Sequence, residues 1–256
     1  MKIVVTLKQV PERDALLSIS PGADWIDESA LSFTTSEPDA YALEEALRLR
    51  DSQPGSELVA LTAGPERSAS VLRDALARGA DRAIHVLTSS THDPLSTAHL
   101  LAAAIRVESP GLVLTGLQSD DLGLGQTGVI LAHLLGVPHS TLALHVEPVP
   151  TGIRVKRELE DGWFQHVEMP LPALATIQSG GNQLRYATLM GIKKARNKEL
   201  RTIDAASLGA PAPPAAVELT RIFPPDKQKH TRTLAGSSAE IAAQLTGILR
   251  NEVHVL

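Results

Sequence analysis

The sequence predicts an α/β protein: a mostly parallel sheet with helices on both faces, an added antiparallel hairpin and a C-terminal arm. The first half of the chain alternates short β-rich runs with longer helical patterns, as parallel strands joined by crossover helices do. After about residue 140, apolar and polar residues alternate one by one, which is typical of antiparallel strands. A length of 256 residues suits one large domain with appendages better than two full domains.

The first half contains predicted strands and helices in alternation. The strands are residues 3–7, 57–62, 82–87 and 112–117. The helices are residues 40–51, 66–78, 96–107 and 126–135. Apolar residues recur at helical spacing in the first of these helices, and Gly79 is a C-cap for the second.

The second half adds a hairpin and a tail. Alternating runs are found at residues 142–146, 153–159 and 163–167, and the turn signal Glu160-Asp161-Gly162 joins the last two. Residues 173–177 are a further buried strand, and residues 189–198 are a short basic helix. We expect residues 1–204 to form the α/β domain, and residues 205–256 to form a Pro/Ala-rich linker and an arm with a helix at 239–250. The arm folds back on this chain or clasps a partner, and the sequence leaves both open.

Composition excludes several classes of protein. The net charge is −5 and no broad basic face is indicated, so we expect no nucleic-acid partner. The chain has no cysteine, which excludes disulfides, thiolate metal sites and a thiol nucleophile. No segment approaches the roughly 20 apolar residues of a membrane helix, and the first residues predict a strand rather than a signal peptide. We therefore expect a soluble, cytoplasmic protein without direct membrane insertion.

The loop at residues 116–128 carries the strongest sign of a ligand, because it leaves a buried strand and enters a helix. Gly123 and Gly125 allow close approach of backbone amides, and a helix N-terminus attracts phosphate. Glycines also suit a loop that merely turns, and the spacing matches neither the P-loop nor the Rossmann pattern. Ser36-Glu37-Pro38-Asp39 could serve the same ligand from a neighbouring strand end, although its pattern also suits a simple helix start.

The sequence shows no self-sufficient active site. The nine histidines are scattered without metal-ligand spacing, and no nucleophile motif is present. The acidic residues near the predicted hairpin turn alternate between the faces of a strand, so they do not converge. We therefore assign no catalytic residue and no metal ligand.

The basic segment at residues 185–196 allows two interpretations. Leu189 and Ile192 are three residues apart on a predicted helix and could pack inward, which the burial of most leucines favours. They could instead form an apolar spot on a cationic surface.

Several segments, in this order, resemble the electron-transfer flavoprotein β family. They cover roughly the first four-fifths of the chain, and although no single motif is decisive, the ordered set is highly specific. The segments are residues 8–11, 42–49, 75–83, 126–128, 155–162, 171–173 and 182–189.

The resemblance implies a non-catalytic subunit of an electron carrier. In that family an α subunit holds the redox FAD in a mobile domain, and the β subunit binds AMP and recognises partners. The resemblance further implies electron donors of the acyl-CoA dehydrogenase type and a membrane quinone reductase as acceptor.

The resemblance also assigns roles to individual residues. Glu158 falls where the family's β subunit touches the mobile flavin domain. Partner recognition falls on Tyr186, Leu189, Ile192, Lys193 and Lys194, with Leu189 as the inserted leucine. The AMP contacts fall on Thr6, Ser36, Glu37, Pro38, Asp39, Ala63, Gly116, Gln118, Asp121, Gly123, Gly125, Gln126 and Thr127.

Departures from the family pattern leave alternatives open. Ser36 or Glu37 stands where an asparagine is usual, and Gly123, Leu124 and Gly125 replace polar residues. One alternative is a bifurcating flavoprotein whose β site holds a second FAD in place of AMP. Two others are a stand-alone nucleotide-binding protein of the universal-stress type and an adenylating enzyme of the pyrophosphatase type.

Overall fold

The structure is a computed structural model that describes residues 1–22, 25–89, 93–209, 216–225 and 231–255. These residues form two compact units, Met1–Arg221 and Ile222–Leu256. The Pro/Ala-rich stretch at residues 210–215, which the sequence assigns to a linker, lies outside the described residues. Within the described part, no helix is both long and apolar enough to cross a membrane.

The strands of the first unit include three that the sequence analysis did not predict, at residues 9–11, 33–35 and 200–204. The full set is β1 Lys2–Thr6, β2 Gln9–Pro11, β3 Phe33–Thr35, β4 Glu57–Gly64, β5 Arg82–Leu87, β6 Leu112–Gly116, β7 His139–Val149, β8 Gly152–Glu158, β9 Phe164–Met169, β10 Ala173–Ile177 and β11 Leu200–Asp204. The first two of the unpredicted strands are three-residue segments that pair with each other in a separate two-stranded sheet.

The main sheet has the strand order β11-β5-β4-β1-β6-β10-β7-β8-β9. Neighbouring strands run parallel from β11 to β7, and β7, β8 and β9 are antiparallel. The predicted fold class, a mostly parallel sheet with an added hairpin, is therefore confirmed.

The helices cover both faces of this sheet. They are α1 Glu37–Ser52, α2 Ala69–Arg78, α3 Pro94–Glu108, α4 Thr127–Leu135 and α5 Leu189–Ala195. Successive residues of a strand point to opposite faces, so Ile3 and Val5 pack with α1 and α2, whereas Val4 packs with α3 and α4. Both layers are fully buried, which explains why the central strands are continuous apolar runs rather than alternating ones.

Near the end of the first unit, one predicted helix differs from the structure and one strand was not predicted. The basic helix predicted at residues 189–198 ends at Ala195, and β11 begins five residues later. Among the described residues this strand lies at the edge of the sheet beside β5, and its side chains are partly exposed without a buried apolar run. A short edge strand of this kind leaves little periodic signal in the sequence.

The second unit is built around α6 Ser238–Asn251, which confirms the predicted helix. Ser237 is its N-cap: the serine Oγ accepts a hydrogen bond from the Glu240 amide, and the Glu240 carboxylate accepts one from the Ser237 amide. This capping box satisfies two amides that the first turn would otherwise leave unpaired. Arg232 and Glu252 form an ion pair beside the helix.

Candidate functional site

A cleft opens at the carboxyl end of the sheet, beside β1. The chain runs from β1 to β4 on one side and later returns to β6 on the other, so the strand order reverses at this point. In open α/β sheets such a switch point leaves a crevice between loops that turn in opposite directions, and ligands bind there.

The cleft brings together most of the nucleotide-binding residues that the sequence assigned. Lining it are Thr6, Asp39, Ala63, Gly116, Gln118, Gly125, Gln126 and Thr127. The remaining residues of that set, Ser36, Glu37, Pro38, Asp121 and Gly123, lie on the same two segments of chain but do not line it. Several of them hold the cleft wall in place instead of facing its interior.

Asp39 joins three elements at the base of the cleft. Its Oδ2 accepts a hydrogen bond of 2.7 Å from the Lys8 amide, and its Oδ1 accepts one of 2.8 Å from the Gly116 amide. The carboxyl group thereby ties the start of α1 to the ends of β1 and β6. A Cβ atom on Gly116 would lie 2.5 Å from Asp39 Oδ1 and 2.8 Å from the Asp39 nitrogen, so the approach requires glycine.

Burial raises the pKa of Asp39 from 3.8 to about 7, although the hydrogen bonds from Lys8 and Gly116 oppose the rise. Between these two values the folded chain retains a proton that the unfolded chain has lost. The free energy of unfolding should therefore fall as pH rises through this window, by at most roughly 1.4 kcal/mol per pH unit.

The variant Asp39→Asn isolates this titration. Its amide cannot ionise, so the stability advantage of wild type over variant should shrink as pH rises from about 4 to about 7. Loss of one amide hydrogen bond in the variant adds a constant cost that does not depend on pH. Urea denaturation across this range measures the difference, and a constant difference at every pH would contradict the assignment.

Acidic side chains fasten the loop between β6 and α4 to its surroundings. Asp120 Oδ2 accepts a 2.7 Å hydrogen bond from the Glu37 amide, while the Asp120 amide donates to Ser36 Oγ at 3.2 Å. Lys8 Nζ donates to Asp121 Oδ1 at 2.6 Å and to Ser119 Oγ at 3.2 Å. Burial alone would raise the pKa of Asp121, and the Lys8 ammonium together with hydrogen bonds outweighs it, so that pKa is lowered.

The far end of the same loop places two glycines just before a helix N-terminus, an arrangement that can bind an anion. Gly123 and Gly125 adopt left-handed backbone conformations, with φ of 62° and 63°. α4 begins directly afterwards, and the first amides of a helix have no partner within it. Gly128 lies so close to the sheet that an added Cβ would be 2.6 Å from Thr176 Cγ2, which seats the start of α4 against β10.

Sequence reasoning missed one whole side of the cleft. Asp93, Pro94, Thr97 and Leu101 line it from the start of α3, and Lys8 lines it from the loop after β1. Asp93 is the N-cap of α3, accepting a 2.7 Å hydrogen bond from the Ser96 amide. An aspartate followed by proline is a helix-start signal. Applied here, it would have moved the predicted start of this helix from residue 96 to residue 94, which lines the cleft.

The second assigned region is the segment at residues 186–194. The exposed fractions are 86% for Tyr186, 82% for Leu189 and 44% for Ile192, and Lys193 and Lys194 are also exposed. The inward-packing interpretation of Leu189, which burial statistics favoured, is therefore wrong for this chain. Glu158 lies at the end of β8, where its Oε2 accepts a 2.9 Å hydrogen bond from Gln178 Nε2.

Comparison with known proteins decides the family. Residues 25–208 match the electron transfer flavoprotein domain. The chain is 36% identical over 264 residues to electron transfer flavoprotein subunit beta, mitochondrial, of Oryza sativa subsp. japonica, with 100% of both chains covered. The chain belongs to the electron transfer flavoprotein β-subunit family.

The relatives of this electron transfer flavoprotein chain come from several kinds of organism. The protein named electron transfer flavoprotein subunit beta in Methylophilus methylotrophus is 34% identical over 259 residues, covering 97% of this chain and 98% of its own. The protein of the same name in Bos taurus is 33% identical over 213 residues, covering 82% and 83%. The domain match includes the α1 side of the cleft, the glycine loop and the exposed Leu189 segment.

Proposed function

We propose that this chain is the β subunit of a heterodimeric electron-transfer flavoprotein and that its cleft holds AMP as a structural ligand. The observation that supports this proposal most directly is the position of the glycine-rich loop between β6 and α4, which lines the cleft where the strand order of the sheet reverses. Redox chemistry would be supplied by FAD held mainly by the α subunit. The β subunit itself would then be non-catalytic.

The donor set of the cleft fits a nucleoside monophosphate. Backbone amides at Gly125, Gln126 and Thr127 together with the dipole of α4 suit a phosphate group. Lys8 supplies a nearby cation, but its charge is already shared with Asp121. Recognition through backbone amides does not require polar side chains at Gly123 and Gly125.

The second proposed role of the chain, partner recognition, rests on the exposed segment around Leu189. An apolar side chain that is 82% exposed has no packing role in the isolated chain, and Lys193 and Lys194 give its surroundings positive charge. This combination suits a donor dehydrogenase with an apolar pocket and an acidic rim. Glu158 would contact the mobile flavin domain of the α subunit, and a membrane quinone reductase would accept the electrons.

Cofactor content of the purified protein tests the proposal. Expressed alone, the chain should be nearly colourless, and co-expressed with its α subunit it should yield a yellow complex with one FAD per heterodimer. Denaturing the heterodimer should release AMP, identified by mass spectrometry of the supernatant. Two flavins per heterodimer would instead support the bifurcating alternative, and a stable dimer of this chain without any flavoprotein partner would support the universal-stress alternative.

A further inference from the structure

Arg185 forms a five-bond clamp between the exposed segment and helix α1. Its Nε donates to both carboxylate oxygens of Glu44, at 2.9 and 3.2 Å, and its Nη2 donates to Glu44 Oε1 at 3.0 Å. Nη1 reaches Asp51 Oδ2 at 2.9 Å, and the Arg185 amide donates to Glu44 Oε2 at 3.1 Å. Glu44 is only 5% exposed, so this guanidinium neutralises a buried charge through a planar, two-pronged contact.

The other end of the segment is seated on the C-terminus of α2. A Cβ on Gly191 would lie 2.3 Å from the Ala77 carbonyl oxygen, so only glycine allows α5 to approach this closely. Lys198 Nζ donates to the carbonyl oxygens of Leu76 and Ala80, at 3.1 and 2.6 Å. A cation at this position complements the negative end of the α2 dipole.

Three large and exposed side chains lie between Arg185 and Lys198. Tyr186, Leu189 and Met190 are 86%, 82% and 65% exposed. Thr188 begins α5 within this stretch: its Oγ1 accepts from the Gly191 amide at 3.0 Å, and its carbonyl accepts from the Ile192 amide at 2.9 Å. The exposed segment around Leu189 therefore has a defined conformation without a partner.

We propose that Arg185 is a positioning residue for partner docking: by clamping the segment to α1, it holds Leu189 in the conformation that a partner binds. The inference rests on the proposed docking role of Leu189. Ordering a loop on association costs free energy, and a segment that is already ordered avoids that cost. Loss of the clamp should thus weaken docking while leaving electron transfer within the docked complex unchanged.

The test uses the heterodimer with two variants. Arg185→Met keeps an unbranched apolar stem and the backbone amide bond to Glu44 but removes the four guanidinium hydrogen bonds, and Arg185→Lys keeps the charge and removes the fork. Hydrogen exchange of the Gly191 and Ile192 amides reports order in the segment without any partner. Steady-state reduction by an acyl-CoA dehydrogenase with its acyl-CoA reports KM and kcat for the flavoprotein. Arg48→Met is the matched control, since Arg48 is an exposed arginine on α1, the helix that carries Glu44 and Asp51.

Arg185→Met should raise the hydrogen-exchange rates of both amides about tenfold and the KM about tenfold, with kcat little changed. Arg185→Lys should give values between those of Arg185→Met and wild type. Arg48→Met should match wild type. Unchanged exchange in Arg185→Met, or faster exchange with unchanged KM, would overturn the inference. Asp51→Ala removes the acceptor of one arm of the clamp and leaves Glu44 paired, so it gives a milder version of the same test if Arg185→Met does not fold.

The outcome for Leu189 separates this inference from the proposed function. If Leu189→Ala leaves KM unchanged, the docking role of Leu189 is wrong. The positioning role of Arg185 is then wrong as well, even if Arg185→Met speeds hydrogen exchange of the two amides. If Leu189→Ala raises KM and Arg185→Met does not, the docking role stands and only the positioning role is wrong.

Discussion

Replacing Leu189 by alanine should weaken docking of a donor dehydrogenase about ten- to hundredfold and leave the melting temperature almost unchanged. The side chain is 82% exposed, so the fold loses little when it is shortened. Burial of a leucine in a partner's pocket is worth roughly 1.5–3 kcal/mol, which corresponds to that range of affinity. Melting temperature and dehydrogenase-coupled dye reduction should be measured on the same preparations.

Leu47→Ala is the matched control for this experiment. Leu47 is 0% exposed and belongs to the core beneath α1, so its truncation should cost about 2–5 kcal/mol of folding stability. Lys193→Ala and Lys194→Ala should mainly slow association and reduce its dependence on salt, as charges at an interface rim do. A large drop in melting temperature for Leu189→Ala, or an unchanged dehydrogenase rate, would show that Leu189 is not a docking anchor.

Replacing Gly116 by alanine should both destabilise the chain and empty the cleft. The new Cβ would lie 2.5 Å from Asp39 Oδ1 and 2.9 Å from the Pro38 carbonyl carbon, and the backbone atoms at the start of α1 cannot move aside cheaply. Overpacking costs about 1–3 kcal/mol, and disruption of the amide-to-carboxylate hydrogen bond adds a similar amount. We expect the free energy of unfolding to fall by about 2–6 kcal/mol in denaturant titrations, and we expect no AMP to be released from the denatured heterodimer.

Gly247→Ala serves as the control, because an added Cβ at this position in α6 meets nothing within 4 Å. Alanine is the better helix former by about 1 kcal/mol, so this variant should be neutral or slightly more stable. A Gly116→Ala chain with wild-type stability and wild-type AMP content would contradict the assigned geometry of the cleft.

Local sequence patterns determined the elements that build the sheet. The predicted strands at residues 82–87 and 173–177 coincide with β5 and β10, and the predicted helix at 126–135 begins one residue before α4. Periodicity identifies such elements because each has a face, or two faces, committed to a buried layer. The order of strands and helices then sufficed for the fold class and for the loop that faces the cleft.

Only the tertiary structure decided which side chains are covered and which segments meet. By residue type Leu189 is expected in the core, yet it is 82% exposed and no element in the described part of the chain covers it. Gly191 brings α5 onto the end of α2, and the opposite face of α5 is left open. Arg185 and Glu44 are 141 residues apart, and Lys8 and Asp121 are 113 apart. Contacts at such separations depend on how the sheet orders its strands, and no local pattern in the sequence records them.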